Sequence, residues 1–339
     1  MRPPPLSTRT SATGAVLPLL DRDGAVRLVV VAKQRFRLGR ASRPQRVPGA
    51  EIRPVDVPWE PDSPVSSIRF PGDACVRKPG TDVVVCADAM APGGQAVRDL
   101  DVRVRVGTME KRLKVFGLRV WYGGLGGTGL SEPQPFVRQP LRWEFAWGGM
   151  DVSDPKRAVQ EPRNPVGRGL AARAESLLGQ PAPHVEDPGH LIQNPGSRPP
   201  PAGVAALGPH FAQRLRHAGT MNQQWQDTRA PLVPADFDDR FHQVAVPELV
   251  SPSHLRGGEP VECVGLHPLG PMVFELPRLS FAAEARTDGR WAEARPVLDT
   301  VMLFPNVWEL ELTWRTSFPA PDRIDRVDSV RLFEKEAVA

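Results

Sequence analysis

Apolar and polar residues alternate with a period of two over several stretches of this chain, the spacing of half-buried strands, and only rarely recur at helical spacing. Residues 26–38 (VRLVVVAKQRFRL) are rich in β-branched side chains and run up to Gly39, which predicts one long strand. A second, shorter strand is predicted over residues 81–87. From Val97 the alternation becomes strict: Val102, Val104 and Val106 share one face, and Arg103 and Arg105 the other. Gly107 ends that run, so residues 111–122 are expected to return as its hairpin partner. Leu141, Trp143, Phe145 and Trp147 alternate with Arg142, Glu144 and Ala146, predicting a strand with a bulky inner face that Gly148 and Gly149 stop. Near the C-terminal end, Trp308, Leu310, Leu312 and Trp314 alternate with Glu309, Glu311 and Thr313 in the same way. Both aromatic stripes read as core builders before ligand platforms.

Helical signals are few. Residues 168–178 read as a short helix ended by Gly179, and residues 209–218 as another, with Pro209 in its first turn and Gly219 at its end. From about 150 to 250 the chain is dominated by Pro, Gly and Asn, and loops of that length in compact proteins are usually functional or ordered by a partner. The expected organisation is a flexible segment over residues 1–24 and a β-rich part over 25–150. A loop-rich insertion with short helices follows over 151–250, and a second β-rich part over 251–339 packs on the first. The fold class expected is mainly β, an antiparallel sandwich or distorted barrel with a long Pro/Gly-rich central insertion.

Composition sharpens this picture. With 40% hydrophobic and 24% charged residues in 339, the chain can bury a real core. Its 39 prolines each remove a backbone donor and restrict φ, which argues against long helices and leaves strands to carry the regular structure. The net charge of +4 is spread along the chain instead of concentrated in one run, so no nucleic-acid groove and no membrane surface is expected. Cys75, Cys86 and Cys263 form no C-x-x-C pair, which suits reduced thiols and a cytoplasmic location. The short apolar run at residues 15–20 is broken by Pro18 and is too weak for a signal segment.

Motifs that would carry catalysis fail on context. Gly124, Gly126 and Gly129 satisfy G-x-G-x-x-G after a strand, but Pro133 and Pro135 forbid the helix N-terminus that a dinucleotide phosphate needs. A flexible hairpin tip is the better reading. None of the seven histidines is four residues from another, and Asp236, Asp238 and Asp239 lack the glycine and distal glutamate of a calcium loop. There is no G-x-S-x-G elbow, and Cys86 and Cys263 sit in apolar strand patterns where thiols are usually inert. No catalytic, metal-binding or cofactor-binding residue is expected.

One block stands out, residues 143–151 (WEFAWGGMD) followed by 161–170 (EPRNPVGRGL). Gly148 and Gly149 permit positive φ, Pro162 and Pro165 restrict the residues before them, and Asn164 can cap a turn, so the block reads as a rigid turn. It closely resembles the hallmark of a bacterial family catalogued as domain of unknown function 2169. Further segments similar to that family appear in order: Lys33 and Phe36, the Gly80–Thr81–Asp82 step, the hairpin from Val106 to Trp121, RPPPA from Arg198, Trp225, PLVPADF from Pro231 and RGGE from Arg256. The resemblance spans most of residues 25–280.

The resemblance implies an adaptor or chaperone of type VI secretion, which binds a toxic effector and helps load it onto the valine-glycine-repeat spike, often beside a PAAR-type tip protein. It brings no catalytic residue and no cofactor. The family-motif residues are Trp147, Gly148, Gly149, Asp151, Asn164, Pro165, Gly167, Arg168 and Gly169, expected as a structural turn. Candidate partner contacts are Trp225, Leu125 and Arg198, on the central insertion and the glycine-rich tip. Two rivals remain: a β-fold enzyme acting on carbohydrate or cell-wall material through paired carboxylates such as Glu144 and Asp151, and a structural component of the spike.

Overall fold

The computed structural model describes residues 3–39, 42–63, 66–124, 127–320 and 326–335. The chain is mainly β, with three larger sheets around one apolar core, and none of them closes into a barrel among the described residues.

The central sheet runs in the order Thr13–Leu20, Val26–Gly39, Glu309–Pro319, Val297–Phe304, Asp82–Val85, with Ser42–Val47 also paired to the long second strand. A five-stranded sheet is ordered Val185–Glu186, Met109–Phe116, Asp99–Val106, Pro260–Val264, Met272–Glu275. A four-stranded sheet is ordered Leu6–Arg9, Val327–Lys335, Ser280–Thr287, Arg290–Ala294. Pairing is antiparallel through most of these ladders. The exceptions are Asp82–Val85 on Val297–Phe304 and Leu6–Arg9 on Val327–Lys335, both parallel.

The strand readings at residues 26–38 and 81–87 and the strict valine alternation correspond to observed strands, with Val102, Val104 and Val106 all buried. Three local expectations are corrected. The hairpin partner of Asp99–Val106 stops at Phe116, and Trp121 opens a separate strand, Trp121–Gly124, paired with Gly127–Leu130. The run from Leu141 to Trp147 is not a strand but a 3-10 turn at Trp143–Phe145, because the Phe145 and Ala146 amides fold back onto the carbonyls of Arg142 and Trp143. Residues 168–178 are not a helix either. Arg168–Gly169 is a short parallel ladder, and only Ala174–Leu177 forms a 3-10 turn, since Gly169 adopts φ of +88°.

Both faces of the central sheet are covered, by different chemistry. One face presents Leu28, Val30, Ala32, Phe36, Leu310, Leu312 and Trp314 to the main core. The other carries Lys33, Arg35, Glu311, Thr313 and Arg315, and residues 50–63 and 66–79 cover it as a strap. Val29, Val31, Ile52 and Val76 hold the strap at one place. Elsewhere buried charges do so: Lys33–Asp73 at 2.6 Å and Arg53–Glu311 at 3.3 Å join strap to sheet, Lys78 at the strap's end reaches Asp82 at 2.7 Å, and Arg315, paired within the sheet with Asp299 at 2.5 Å, donates to the strap carbonyls of Asp73 and Cys75. Burial acts against the Asp299 charge, yet Arg315 and Lys78 beside it hold its carboxyl below the usual range.

The Pro/Gly-rich insertion carries the short helices Ala212–Leu215 and Gln223–Thr228. Part of it runs through the core. Ala202, Val204, Leu207, Val244 and Leu249 are buried, the Val204 carbonyl accepts the Val85 amide at 3.0 Å, and Asp82 accepts the Val244 amide at 3.0 Å. No helix is long and apolar enough to cross a membrane.

Candidate functional site

The family-motif residues converge on one turn. Trp147–Gly148 pairs in parallel with Arg168–Gly169, and the Gly149 amide donates to the Asn164 carbonyl at 2.8 Å. Asn164 is fully buried at the centre, where its side-chain amide donates to the carbonyls of Trp143 and Trp147, each at 3.0 Å. Gly148, at φ +145°, leaves no room for a Cβ, which would run into the Asn164 carbonyl. Pro165 follows Asn164 half-buried, and a Cβ at Gly167 would collide with the Asn164 amide. Glycine and asparagine therefore allow two stretches of backbone to meet at closer than side-chain distance.

Charged groups around the turn are consumed by it. Glu144 accepts from the amide and hydroxyl of Ser67, both at 2.7 Å, and so ties the turn to the strap. The Arg168 guanidinium donates to the Glu144 carbonyl at 2.7 Å and lies 4.5 Å above the Phe145 ring. Asp151 accepts the amides of Ala172 at 2.8 Å and Ser153 at 2.9 Å, and these bonds hold its carboxyl below the usual range. His184 stacks on Phe145 with centroids 4.6 Å apart; burial, with Arg168 and Arg119 nearby, pushes its pKa down to about 4.

Beside the turn lies an open hollow of about 520 Å³, lined among others by Gly148, Met150, Asp151, Arg168, Leu170 and Leu177. A satellite core of Trp121, Trp147, Ala171, Leu177, Ala182 and Ile192 supports this lobe. Its surface exposes Tyr122 (53%), Met150 (54%), Val152 (56%), Val159, Leu178 and Leu191. Sequence reasoning had not singled these out; large apolar side chains within glycine-rich and charged loops were the available signal.

The candidate partner contacts are dispersed. Trp225 sits half-buried on Gln223–Thr228, its indole N–H donating to the Leu232 carbonyl at 2.8 Å, and the following Arg229 donates to the Arg22 carbonyl by the turn after Thr13–Leu20. Arg198 is exposed and donates to the carbonyls of Ala171 at 3.1 Å, Pro195 at 2.8 Å and Ser197 at 3.0 Å, so it fastens its own loop to the motif lobe. Leu125 lies outside the described residues.

Glu144 and Asp151 both line the hollow, but each carboxylate is already engaged by the donors named above. No group of three His, Cys, Asp or Glu side chains among the described residues could hold a metal ion. Burial pushes the thiols of Cys86 and Cys263 up to about 11 and about 12, the opposite of an activated nucleophile.

No curated protein and no solved structure matches this chain. A family model does, over residues 23–315, most of the chain, and the protein therefore belongs to the family described as an uncharacterized protein conserved in bacteria (DUF2169).

Proposed function

We propose that this protein is a non-enzymatic, cytoplasmic adaptor of type VI secretion that binds an effector and promotes its loading onto the spike, with a PAAR-type tip protein as a further partner. The observation that supports it best is the motif lobe. A turn braced by its own hydrogen bonds borders an open hollow lined by the exposed Met150, and the lobe also exposes Tyr122, Val152, Val159, Leu178 and Leu191, which suits a protein partner better than a polar substrate. Membership in the family whose hallmark the turn carries supports the same reading.

The carbohydrate-cleaving alternative has one observation in its favour, the presence of Glu144 and Asp151 on one hollow. Against it, a general acid needs a raised pKa, whereas the Ala172 and Ser153 amides lower that of Asp151.

The deciding experiment is affinity capture from the native bacterium with the full chain as bait, followed by mass spectrometry. Recovery of a toxin-like protein together with a spike protein is expected, and a Tyr122→Ser, Met150→Ser, Leu178→Ser variant should lose the toxin while keeping its melting temperature. Recovery of neither by folded bait under secretion-inducing growth overturns the adaptor reading.

A further inference from the structure

A second hollow, of about 790 Å³, opens on the far side of the loop before Pro260–Val264, where the four-stranded sheet meets the central one. Its apolar walls include Leu255, Leu279, Pro296, Leu298 and Trp314, with the Trp314 ring held edge-on to Phe281 at 4.9 Å. Its rim carries three exposed arginines, Arg256, Arg278 and Arg295, and no acidic residue lines it.

What gives the rim meaning is that its three arginines gather on one apolar hollow. Arg35, Arg53, Arg103, Arg119, Arg163, Arg240, Arg315 and Arg326 reach carboxylates, whereas Arg216 donates to His217 and Arg229 to backbone carbonyls. No ion pair or side-chain hydrogen bond of the Arg256, Arg278 or Arg295 guanidinium occurs among the described residues. Two acidic groups lie close in the chain. Glu259 accepts the backbone amide of Arg256 at 2.9 Å, and Glu293 is bonded to Lys335 at 2.5 Å and only weakly influenced by Arg295. Neither lines the hollow.

The hollow is a docking surface and not a sheet edge for an added strand: Arg290–Ala294 pairs with Ser280–Thr287 only from Ala283 onward, but Phe281 and Ala282 are buried there, and of that strand only Ser280 lines the hollow.

We infer that this hollow binds an acidic segment of a partner protein, with carboxylates on the arginine forks and apolar side chains on the floor around Trp314. The apolar floor favours such a segment over a bare phosphate chain. The inference does not rest on the secretion role, because this surface is separate from the motif lobe.

The test is fluorescence anisotropy of a labelled peptide of about eight alternating Glu and Val residues against the full chain, with a Gln/Val twin as control. Saturable binding of the Glu peptide alone is expected, weakening with added salt. Replacing all three arginines by alanine should reduce affinity at least about tenfold without moving the melting temperature. In a companion variant, Arg256→Glu, Arg278→Glu and Arg295→Glu should transfer preference to a Lys/Val peptide, which a merely unfolded site would not do. Equal binding of the Gln twin, no binding up to about 1 mM, undiminished binding to the alanine variant, or stronger binding of inorganic tripolyphosphate than of the peptide would each overturn the assignment.

Discussion

The strap face of the central sheet and the arginine-rimmed hollow use the same residue type for opposite ends. Between the strap and the sheet, Arg315, Arg53 and Lys33 are buried and each closes on a carboxylate of the chain itself. Around the hollow, Arg256, Arg278 and Arg295 are exposed and close on none among the described residues. A buried charge without a partner is too costly to persist, so the first set is committed to folding; an exposed guanidinium is cheap to leave unpaired, so the second set is available to a partner. The motif turn belongs with the strap in this respect, since the Asn164 amide nitrogen, the Glu144 carboxylate and the Arg168 Nε each bond inside the protein.

That division is open to measurement. Its severest test is Arg315→Met, which strands Asp299 in the core and should cost about 3–5 kcal/mol in urea unfolding. Combining it with Asp299→Leu should recover a large part of that loss; a single variant as stable as the parent would mean the strap is not held by these charges.

The next effect is on pH dependence. His184 titrates at about 4 when folded against 6.5 in the unfolded reference. Between those values the unfolded chain takes up a proton at this residue that the folded chain refuses, so its share of stability is complete above 6.5 and falls as pH drops toward 4, by at most about 3 kcal/mol; His242, also held at about 4 by burial, adds a like share. His184→Gln should flatten that part of the profile, as read from chemical-denaturation midpoints, while an unchanged slope would place the titration elsewhere.

Smaller again is Asn164→Ala. It removes the side-chain donor to two buried carbonyls, of which that of Trp143 keeps the Ala146 amide, and should cost about 1–3 kcal/mol by thermal or urea unfolding. Binding of the acidic peptide at the distant arginine hollow should be untouched in folded protein, and a parallel loss there would blur the separation between folding and binding surfaces.

How much of this was legible beforehand follows from the range of the interactions involved. The valine–arginine alternation at residues 99–106 is a local pattern, and it became a strand with the expected faces. The aromatic alternation before Gly148 looked the same and became a 3-10 turn. Trp143 instead donates to the carbonyls of Ala205 and Ala206, some sixty residues away. In the same way, Glu311 and Thr313 alternate as polar residues should on a solvent-facing strand, yet both are buried because the strap covers them. At the motif turn the demands of Gly148 and Gly149 are local, set by their positive φ, whereas Asn164, expected to cap a turn, bonds instead to the carbonyls of Trp143 and Trp147. The exposed apolar residues of that lobe and the unpaired arginines could not be read, because exposure and lack of a partner are properties of what the rest of the chain leaves uncovered.

The sequence by itself determined the β character, the positions of the long strands and the glycine-dependent turn, all set by side-chain period and backbone sterics over a few residues. Only the tertiary structure decided which charges are neutralised within the fold and which face outward, because Arg315 and Arg256 are chemically identical and differ solely in whether a carboxylate from elsewhere in the chain arrives beside them.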